Sequence, residues 1–137
     1  TSESNNRIVR EVGVGVGGCV DDTREENDTA ATATPLTTGA HSRLYLCDDD
    51  LYSVSVVRGD VVDVQLDLSA GEVAFAVHDV NGNYPTECTT VAQNICYVSG
   101  KTGGSLHFLS KNTQTIYFTV TQVRSTYSRY SLTMQRR

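Results

Sequence analysis

Two short acidic stretches are the part of this sequence best suited to chemistry. Glu25-Glu26-Asn27-Asp28 holds three carboxylates and one amide, and Asp48-Asp49-Asp50 adds three more carboxylates. Two unit charges 4 Å apart repel by about 4 kcal/mol at an effective dielectric constant near 20, so these groups, if held together, either spread into solvent or bind a cation. Carboxylate, amide and carbonyl oxygens suit calcium, which takes roughly six to eight oxygen ligands. The residues alone leave a solvated acidic surface and a calcium site equally open.

The cysteines decide whether the two acidic stretches can meet. Cys19, Cys47, Cys88 and Cys96 allow three pairings, and no two of them have the spacing of a zinc finger or ribbon. We favour Cys19–Cys47 and Cys88–Cys96, because these local bridges close loops of about 29 and 9 residues, worth roughly 3.6 and 2.6 kcal/mol. The first bridge would hold the acidic stretches side by side. Disulfides indicate a secreted or cell-surface protein, and four buried thiols in a cytosolic protein are the alternative.

Motifs of known enzyme classes fail when their spacing is checked. Gly100-Lys101-Thr102 resembles the end of a phosphate-binding loop, but the first glycine of that motif would fall on Ile95. His41, His78 and His107 have no second ligand at helical or finger spacing and are interpreted as surface or strand histidines. The sequence contains no Gly-x-Ser-x-Gly nucleophile elbow. We therefore expect a protein without catalytic residues, and a metal-dependent hydrolase built on the acidic residues would lack a histidine partner.

Size and charge narrow the class of protein further. The 137 residues fit one domain, and the formal net charge is −5. No apolar run approaches the roughly 18 residues of a membrane-spanning helix, and the polar start Thr1–Arg10 is unlike a signal peptide, so any targeting segment has been removed or lies elsewhere. No acidic residue follows Glu87, but the six basic residues after it are scattered rather than clustered. We expect neither membrane insertion nor binding to nucleic acid.

Short alternating segments separated by turn residues predict the elements that position these groups. Val61–Leu68 is the clearest, with its valines and leucines on one face and Asp63, Gln65 and Asp67 on the other. Asn81-Gly82 predicts a tight turn, and Tyr84–Asn94 a longer loop. The predicted strands cover Arg43–Cys47, Leu51–Val57, Val61–Leu68, Glu72–Val80, Ile95–Val98, Ser105–Ser110, Gln114–Arg124 and Thr126–Met134. About eight strands with regular turns predict an all-β sandwich or barrel over residues 19–137, preceded by a glycine-rich linker or tether strand at residues 1–18.

Four motifs in order carry a resemblance to a known family. Glu25–Leu36 is similar to a Glu-Pro-Asn-Asp start, and Leu46–Leu66 to an Asp-x-Asp-x-Tyr strand followed by a Gly-Asp turn and an alternating strand. Val77–Asn83 resembles the family's mid-domain turn, and Tyr130–Met134 its closing strand. From about Cys19 to Met134, the chain thus resembles the bacterial pre-peptidase C-terminal (PPC) domain and its relative, the collagen-binding domain of bacterial collagenases.

The resemblance implies a jelly-roll-like antiparallel β-sandwich of about eight strands, without catalytic activity and, as in some members of the family, with calcium at the N-terminal segment. Carried over residue by residue, the implied calcium ligands are Glu25, Asn27, Asp28, a backbone oxygen of Ser42, Asp48 and Asp50. The chain departs from the family at Thr23, where relatives have a further acid, and at Leu51, where an aromatic residue is common. Relatives recognise collagen with exposed aromatic residues on one sheet. Of the late tyrosines here, Tyr117, Tyr127 and Tyr130, at least Tyr130 has the pattern of a core residue, so collagen is not expected as the ligand.

We therefore expect an extracellular, calcium-stabilised accessory domain. It would attach a secreted parent protein to a polymer, matrix or cell surface, or assist its secretion. The alternative is a structural or adhesin-like subunit that assembles with copies of itself, using Arg7–Gly18 as an added strand.

Overall fold

The computed structural model describes residues 29–46, 48–90, 93–123 and 128–137, and these residues form nine strands. A 3₁₀ helix at Ala30–Thr32 precedes them, and a four-residue helix, α1, lies at Glu87–Thr90. The strands are β1 (Thr34–Pro35), β2 (Gly39–Leu46), β3 (Asp50–Val56), β4 (Val61–Ala70), β5 (Val73–His78), β6 (Tyr97–Gly100), β7 (Gly103–Leu109), β8 (Gln114–Gln122) and β9 (Ser128–Arg136).

The strands form two packed sheets. The four-stranded sheet has the order β2-β9-β4-β7 and the five-stranded sheet the order β1-β3-β8-β5-β6. Every strand pair is antiparallel except β1 with β3. The predicted antiparallel β-sandwich is thus confirmed, and eight of its strands are four residues or longer, as expected from the pattern.

Alternation along each strand explains why the two sheets pack. Val62, Val64 and Leu66 are at most 1% exposed, while Asp67 on the other side of the same strand is exposed. The same period buries Phe75 and Phe118, whose ring centroids lie 5.9 Å apart in the core. Burying one face of each sheet against the other removes apolar surface from water, which is the main driving force for such a sandwich.

The turn at Asn81-Gly82 ends β5 two residues earlier than predicted. Asp79 Oδ1 accepts hydrogen bonds from the backbone N–H groups of Asn81 (2.8 Å) and Asn83 (3.0 Å), so the aspartate starts an Asx-type turn after His78. Gly82 has φ +83°, a left-handed conformation that glycine adopts without strain. This compact turn carries the chain towards the predicted long loop, in which α1 forms.

The segment around residues 95–100 joins the two sheets at one side. Ile95 exchanges both backbone hydrogen bonds with His107 of β7, at 2.9 and 3.0 Å. Two residues later, β6 pairs with β5 of the other sheet, Ala76 lying opposite Tyr97. The edge strands of the two sheets are therefore linked here.

The Cys88–Cys96 disulfide is confirmed, with a Cα–Cα distance of 6.0 Å. Cys19 and Cys47, and hence the other predicted bridge, lie outside the described residues. So does the predicted tether at residues 1–18, and strand addition through it stays a prediction.

Candidate functional site

The outer face of the five-stranded sheet carries no aspartate, glutamate, lysine or arginine at its described outward positions. Residues directly opposite each other on paired strands point to the same side, so the registers define this surface. We call it the uncharged face, and it consists of Pro35, Leu51, Ser53, Ser55, Ala74, Ala76, His78, Tyr97, Ser99, Thr115, Tyr117, Thr119 and Thr121. It is a grid of hydroxyls, small apolar groups and aromatic rings.

A groove of about 400 Å³ lies on the uncharged face. Its floor includes the small side chains Ala74 and Ala76, with Thr119 and Thr121 beside them on β8. The groove is also lined by Tyr84 and Tyr97, which are 52% and 51% exposed. Two half-exposed phenol rings around a low floor form a site that a flat, partly apolar ligand fits.

The wider loop around the groove is unusually apolar. Five large hydrophobic side chains are exposed in the described part of the chain, and four of them lie between residues 80 and 97: Val80, Tyr84, Ile95 and Tyr97. Concentrated exposed apolar side chains mark interaction sites more often than isolated ones do.

A buried carboxylate holds this loop against the sandwich. Glu87 of α1 is 2% exposed and accepts hydrogen bonds from the Lys111 backbone N–H (3.1 Å), Asn112 Nδ2 (3.3 Å) and Gln114 Nε2 (2.6 Å). Burial by itself raises the pKa of the Glu87 carboxyl, but these hydrogen bonds outweigh it, so the pKa lies below its usual value. Asn94 adds a second link, since its Nδ2 donates to the Glu87 carbonyl and its Oδ1 accepts from the Leu109 N–H. Together with the disulfide, these bonds fix the part of the loop that follows Tyr84.

Hydrogen bonds orient one hydroxyl in the groove. His78 Nδ1 lies 2.7 Å from the Asp79 carbonyl, which can only accept, so Nδ1 carries the proton of the neutral ring. Nε2 then accepts from the Thr119 hydroxyl, its hydrogen-bond partner. The His78 ring also stacks on Tyr117, with centroids 5.8 Å apart. The Thr119 oxygen is therefore left to accept a hydrogen bond from a ligand.

The outer face of the four-stranded sheet is different, and we call it the charged face. Its outward positions include Asp63, Asp67 and Arg129, with His107 opposite Asp63. His107 Nδ1 lies 2.5 Å from Asp63 Oδ1, and Arg137 Nη2 lies 3.1 Å from Asp63 Oδ2. An exposed ion pair such as that of Asp63 with Arg137 contributes little to stability.

A second groove, of about 330 Å³, lies on the charged face between Arg43 and Arg129. Arg43 has φ +59° where the β2–β9 register shifts, which marks a β-bulge. This groove therefore differs from the first in the charge of its lining.

The predicted calcium ligands fall into two groups. Glu25, Asn27 and Asp28 lie outside the described residues. Ser42 is exposed on β2, and Asp48 is exposed before β3. Within the described residues, no three His, Cys, Asp or Glu side chains group together as a metal site would require. A calcium site at the predicted ligands would therefore need residues outside the described part of the chain.

Asp50 is fully buried and belongs to a hydroxyl chain between the sheets. The Tyr130 hydroxyl donates to Asp50 Oδ2 at 2.6 Å, and the Tyr52 hydroxyl lies 2.6 Å from that of Tyr130. Burial, together with the Asp50 charge, raises the pKa of Tyr130 well above its usual value. A carboxylate oriented through one oxygen by a phenol matches the outer-shell support that ligating carboxylates receive. Asp48 and Asp50 carry carboxylate oxygens of the kind that calcium prefers, and their part in a calcium site stays a prediction.

Comparisons with known proteins place the fold. No protein-family model matches the sequence, and no curated protein matches it. The structure resembles the pre-peptidase C-terminal domain of collagenase from Bacillus anthracis, with a TM-score of 0.52 and 13% identity over 75% of this chain and 94% of that domain. The chain shares the fold of a pre-peptidase C-terminal domain. It has the same TM-score, 0.52, with Aeromonas hydrophila PliG, a periplasmic lysozyme inhibitor of g-type lysozyme. The identity is 20% over 77% of this chain and 96% of the other. The expected sandwich is confirmed at the level of fold.

No helix among the described residues is long and apolar enough to cross a membrane.

Tyr84, Tyr97 and Glu87 were not identified from the sequence as site residues. One pattern pointed to the uncharged face: the outward positions in the middle of three predicted strands hold mostly Ser, Ala or Thr where Val61–Leu68 holds Asp and Gln. No sequence pattern indicated Glu87, because a buried glutamate in a polar loop cannot be told from a solvent-exposed one by sequence alone. Tyr130 was expected in the core and is 2% exposed.

Proposed function

We propose that this domain is a non-catalytic extracellular binding module that attaches a secreted parent protein to a polymer, matrix or cell surface. The uncharged face, with the groove at Tyr84 and Tyr97, is the attachment surface. Calcium, bound between residues 25–28 and Asp48 and Asp50, stabilises the domain without taking part in attachment.

The observation that carries this proposal is the composition of the uncharged face. Charged residues make up 20% of the chain, so thirteen positions drawn at that frequency would hold about two to three of them. Surface positions are normally richer in charge than the chain as a whole. A sheet face without them at its thirteen described positions, with half-exposed tyrosines at one end, is suited to binding rather than to solvation.

The neighbours and the disulfide support the setting. The Bacillus domain is part of a collagenase, and the Aeromonas protein is a periplasmic inhibitor of an enzyme. One protein of this fold is therefore a domain of a larger protein, and the other acts by binding an enzyme. The Cys88–Cys96 bridge fits an oxidising compartment. Both points favour an exported module whose activity is recognition.

Solid-phase binding of the whole chain fused to a fluorescent protein tests the proposal. The fusion is incubated with insoluble polysaccharides, matrix proteins and bacterial cell walls, and the retained fluorescence is measured. We expect retention on at least one surface, lost in the double variant Tyr84→Ala/Tyr97→Ala and kept in the control Arg43→Ala/Arg129→Ala on the charged face. Retention that persists in the tyrosine variant and is lost in the arginine variant would place attachment on the charged face and overturn the proposal.

A further inference from the structure

The groove on the uncharged face points to one class of ligand, and we infer that it binds a neutral polysaccharide, a chain of uncharged sugar rings. The inference rests on the proposed function and deepens it, because it states what the attachment surface recognises.

Charge is the first argument. A bound carboxylate or phosphate loses water and must be compensated by a cationic partner. The described positions of the uncharged face offer neither lysine nor arginine, while Arg43 and Arg129 line the groove on the opposite sheet. Binding of acidic polymers to the uncharged face is thus disfavoured, and a neutral ligand is favoured.

The shape and apolar lining are the second argument. A pyranose ring is a flat body with C–H groups on its faces, and such faces pack on aromatic rings. Tyr84 and Tyr97 expose half of their surface at the groove, and the methyl groups of Ala74 and Ala76 keep its floor low. The volume of about 400 Å³ lies within the roughly 300–1,000 Å³ of small-ligand sites. Larger floor residues would lift the ligand off the rings.

The hydroxyl lining is the third argument. Sugar hydroxyls both donate and accept, so they are best met by neutral groups that do the same. The Thr119 hydroxyl donates to His78 and leaves its oxygen as an acceptor, and Ser99 is an exposed hydroxyl beside Tyr97 on β6. The Thr121 hydroxyl is held at 3.5 Å from the Ala74 carbonyl and lines the same groove.

Composition also distinguishes this surface from a protein-binding one. Protein interfaces are enriched in Met, Arg and aromatic residues and depleted in Ser and Ala. Ser and Thr are also rare among the residues that dominate binding energy. The uncharged face has the opposite balance, with Ser, Thr and Ala at most of its positions. We therefore argue for the sugar polymer and treat a protein ligand as an outcome of the test.

Affinity electrophoresis of the whole chain tests the inference. Native gels contain a panel of soluble neutral polysaccharides (dextran, mixed-linkage β-glucan, xyloglucan, galactomannan) or, for comparison, alginate and polygalacturonate. We expect retardation by at least one neutral polymer, unchanged between low and high salt. Tyr97→Ala should weaken the affinity about tenfold or more, whereas Tyr97→Phe, which keeps the ring, and Arg129→Ala on the charged face should not.

Each outcome separates the inference from the proposed function. Retardation by the acidic polymers alone, or binding that falls steeply with salt, overturns the neutral ligand. Failure of every neutral polymer, with tyrosine-dependent retention on a matrix protein, also overturns it but leaves the attachment function standing. Equal binding by wild type and Tyr84→Ala/Tyr97→Ala, with unchanged circular dichroism and melting temperature, overturns both.

Discussion

The two outer faces of this sandwich are built from the same kind of strand and yet differ in chemistry. Opposite positions on β4 and β9 place Asp63 beside Gln135 and Asp67 beside Ser131, while the corresponding layer of the other sheet places Ser53 beside Tyr117 and Ala76 beside Thr119. Both faces lie over the same apolar core, so neither pattern is required by the fold. Since charged groups keep a surface hydrated, their absence from the described positions of one face favours that face as the proposed attachment surface.

Support is also distributed unequally between the faces. The loop beside the uncharged face is tied down by the Cys88–Cys96 disulfide and by the buried Glu87 carboxylate. The charged face is crossed by exposed ion pairs such as Asp63 with Arg137, which are solvated and weak. A fixed loop limits the entropy lost when a ligand binds, so strong support at one face agrees with its proposed role.

The largest effect is expected at Glu87. In Glu87→Gln the amide oxygen can still meet the donors of Lys111, Asn112 and Gln114, which all reach one carboxylate oxygen, but three charge-assisted bonds become neutral ones. At about 1 kcal/mol for each bond, we expect a loss of about 3 kcal/mol of unfolding free energy. Urea unfolding at pH 7 measures it. Glu72→Gln, at a half-buried acid, is the matched control and should change stability by less than about 0.5 kcal/mol. Equal effects would show that the buried carboxylate has no special part.

The same carboxylate predicts a pH dependence. Its folded pKa is below its unfolded value, so its stabilisation is present above about pH 4.5 and is lost as pH falls through the folded pKa. The wild type should thus lose stability towards acid more steeply than Glu87→Gln, and melting curves from pH 7 to pH 2.5 compare the slopes. Parallel curves would contradict the predicted shift.

Removing the disulfide should have the next largest effect. Cys88→Ala/Cys96→Ala opens a nine-residue loop, and we expect a loss of about 2.6 kcal/mol on the chain-entropy model. Because Tyr97 directly follows Cys96, affinity for the attachment ligand should fall as well, which a purely global destabilisation would not cause well below the melting temperature. Unchanged affinity in the folded variant would separate the loop from the groove.

Calcium should stabilise the protein without changing the uncharged face. Calcium at about 10 times its Kd would add about 1.4 kcal/mol. We expect a rise of several degrees in Tm in millimolar calcium over chelator, reduced in Asp48→Asn. Ser42→Ala is a matched control, because only its backbone oxygen is expected to bind. Affinity for the attachment ligand, measured in the folded range with and without chelator, should not change. A Tm independent of calcium would remove the ion from the proposal.

Adding one charge to each face gives the smallest and most specific test. Ser99 and Ser105 are exposed serines on the edge strands β6 and β7 of the two sheets. Ser99→Asp should weaken attachment about tenfold, because a carboxylate beside Tyr97 keeps the groove hydrated, whereas Ser105→Asp should leave affinity unchanged. Both should keep the wild-type Tm within about 2 °C, since single exposed substitutions rarely exceed about 0.5 kcal/mol. Equal loss in both would indicate a general effect of charge and not a site.

The local pattern was sufficient for the strands, and for one disulfide. The strict alternation in Val61–Leu68 predicts which residues of β4 face the core, and the short spacing of Cys88 and Cys96 favours a local bridge. The predicted end of β5 was two residues too late, because Asp79 accepts hydrogen bonds from backbone groups of the following turn. The hydrophobic pattern does not indicate such bonds. The acidic stretches predict calcium ligands, which stays a prediction. The position of Asp50 inside the core could not be predicted, since its buried partner Tyr130 is 80 residues away.

By itself, therefore, the sequence determined which side of each strand is apolar and what the other side carries, because side chains alternate with a period of two. It did not determine which outward sides share a surface. Strand order brings β3, β8 and β5 together from distant parts of the chain and places Tyr97 across from Ala76. Only tertiary pairing assembled the uncharged face, since hydrogen bonds between distant strands decide neighbours that no local pattern records.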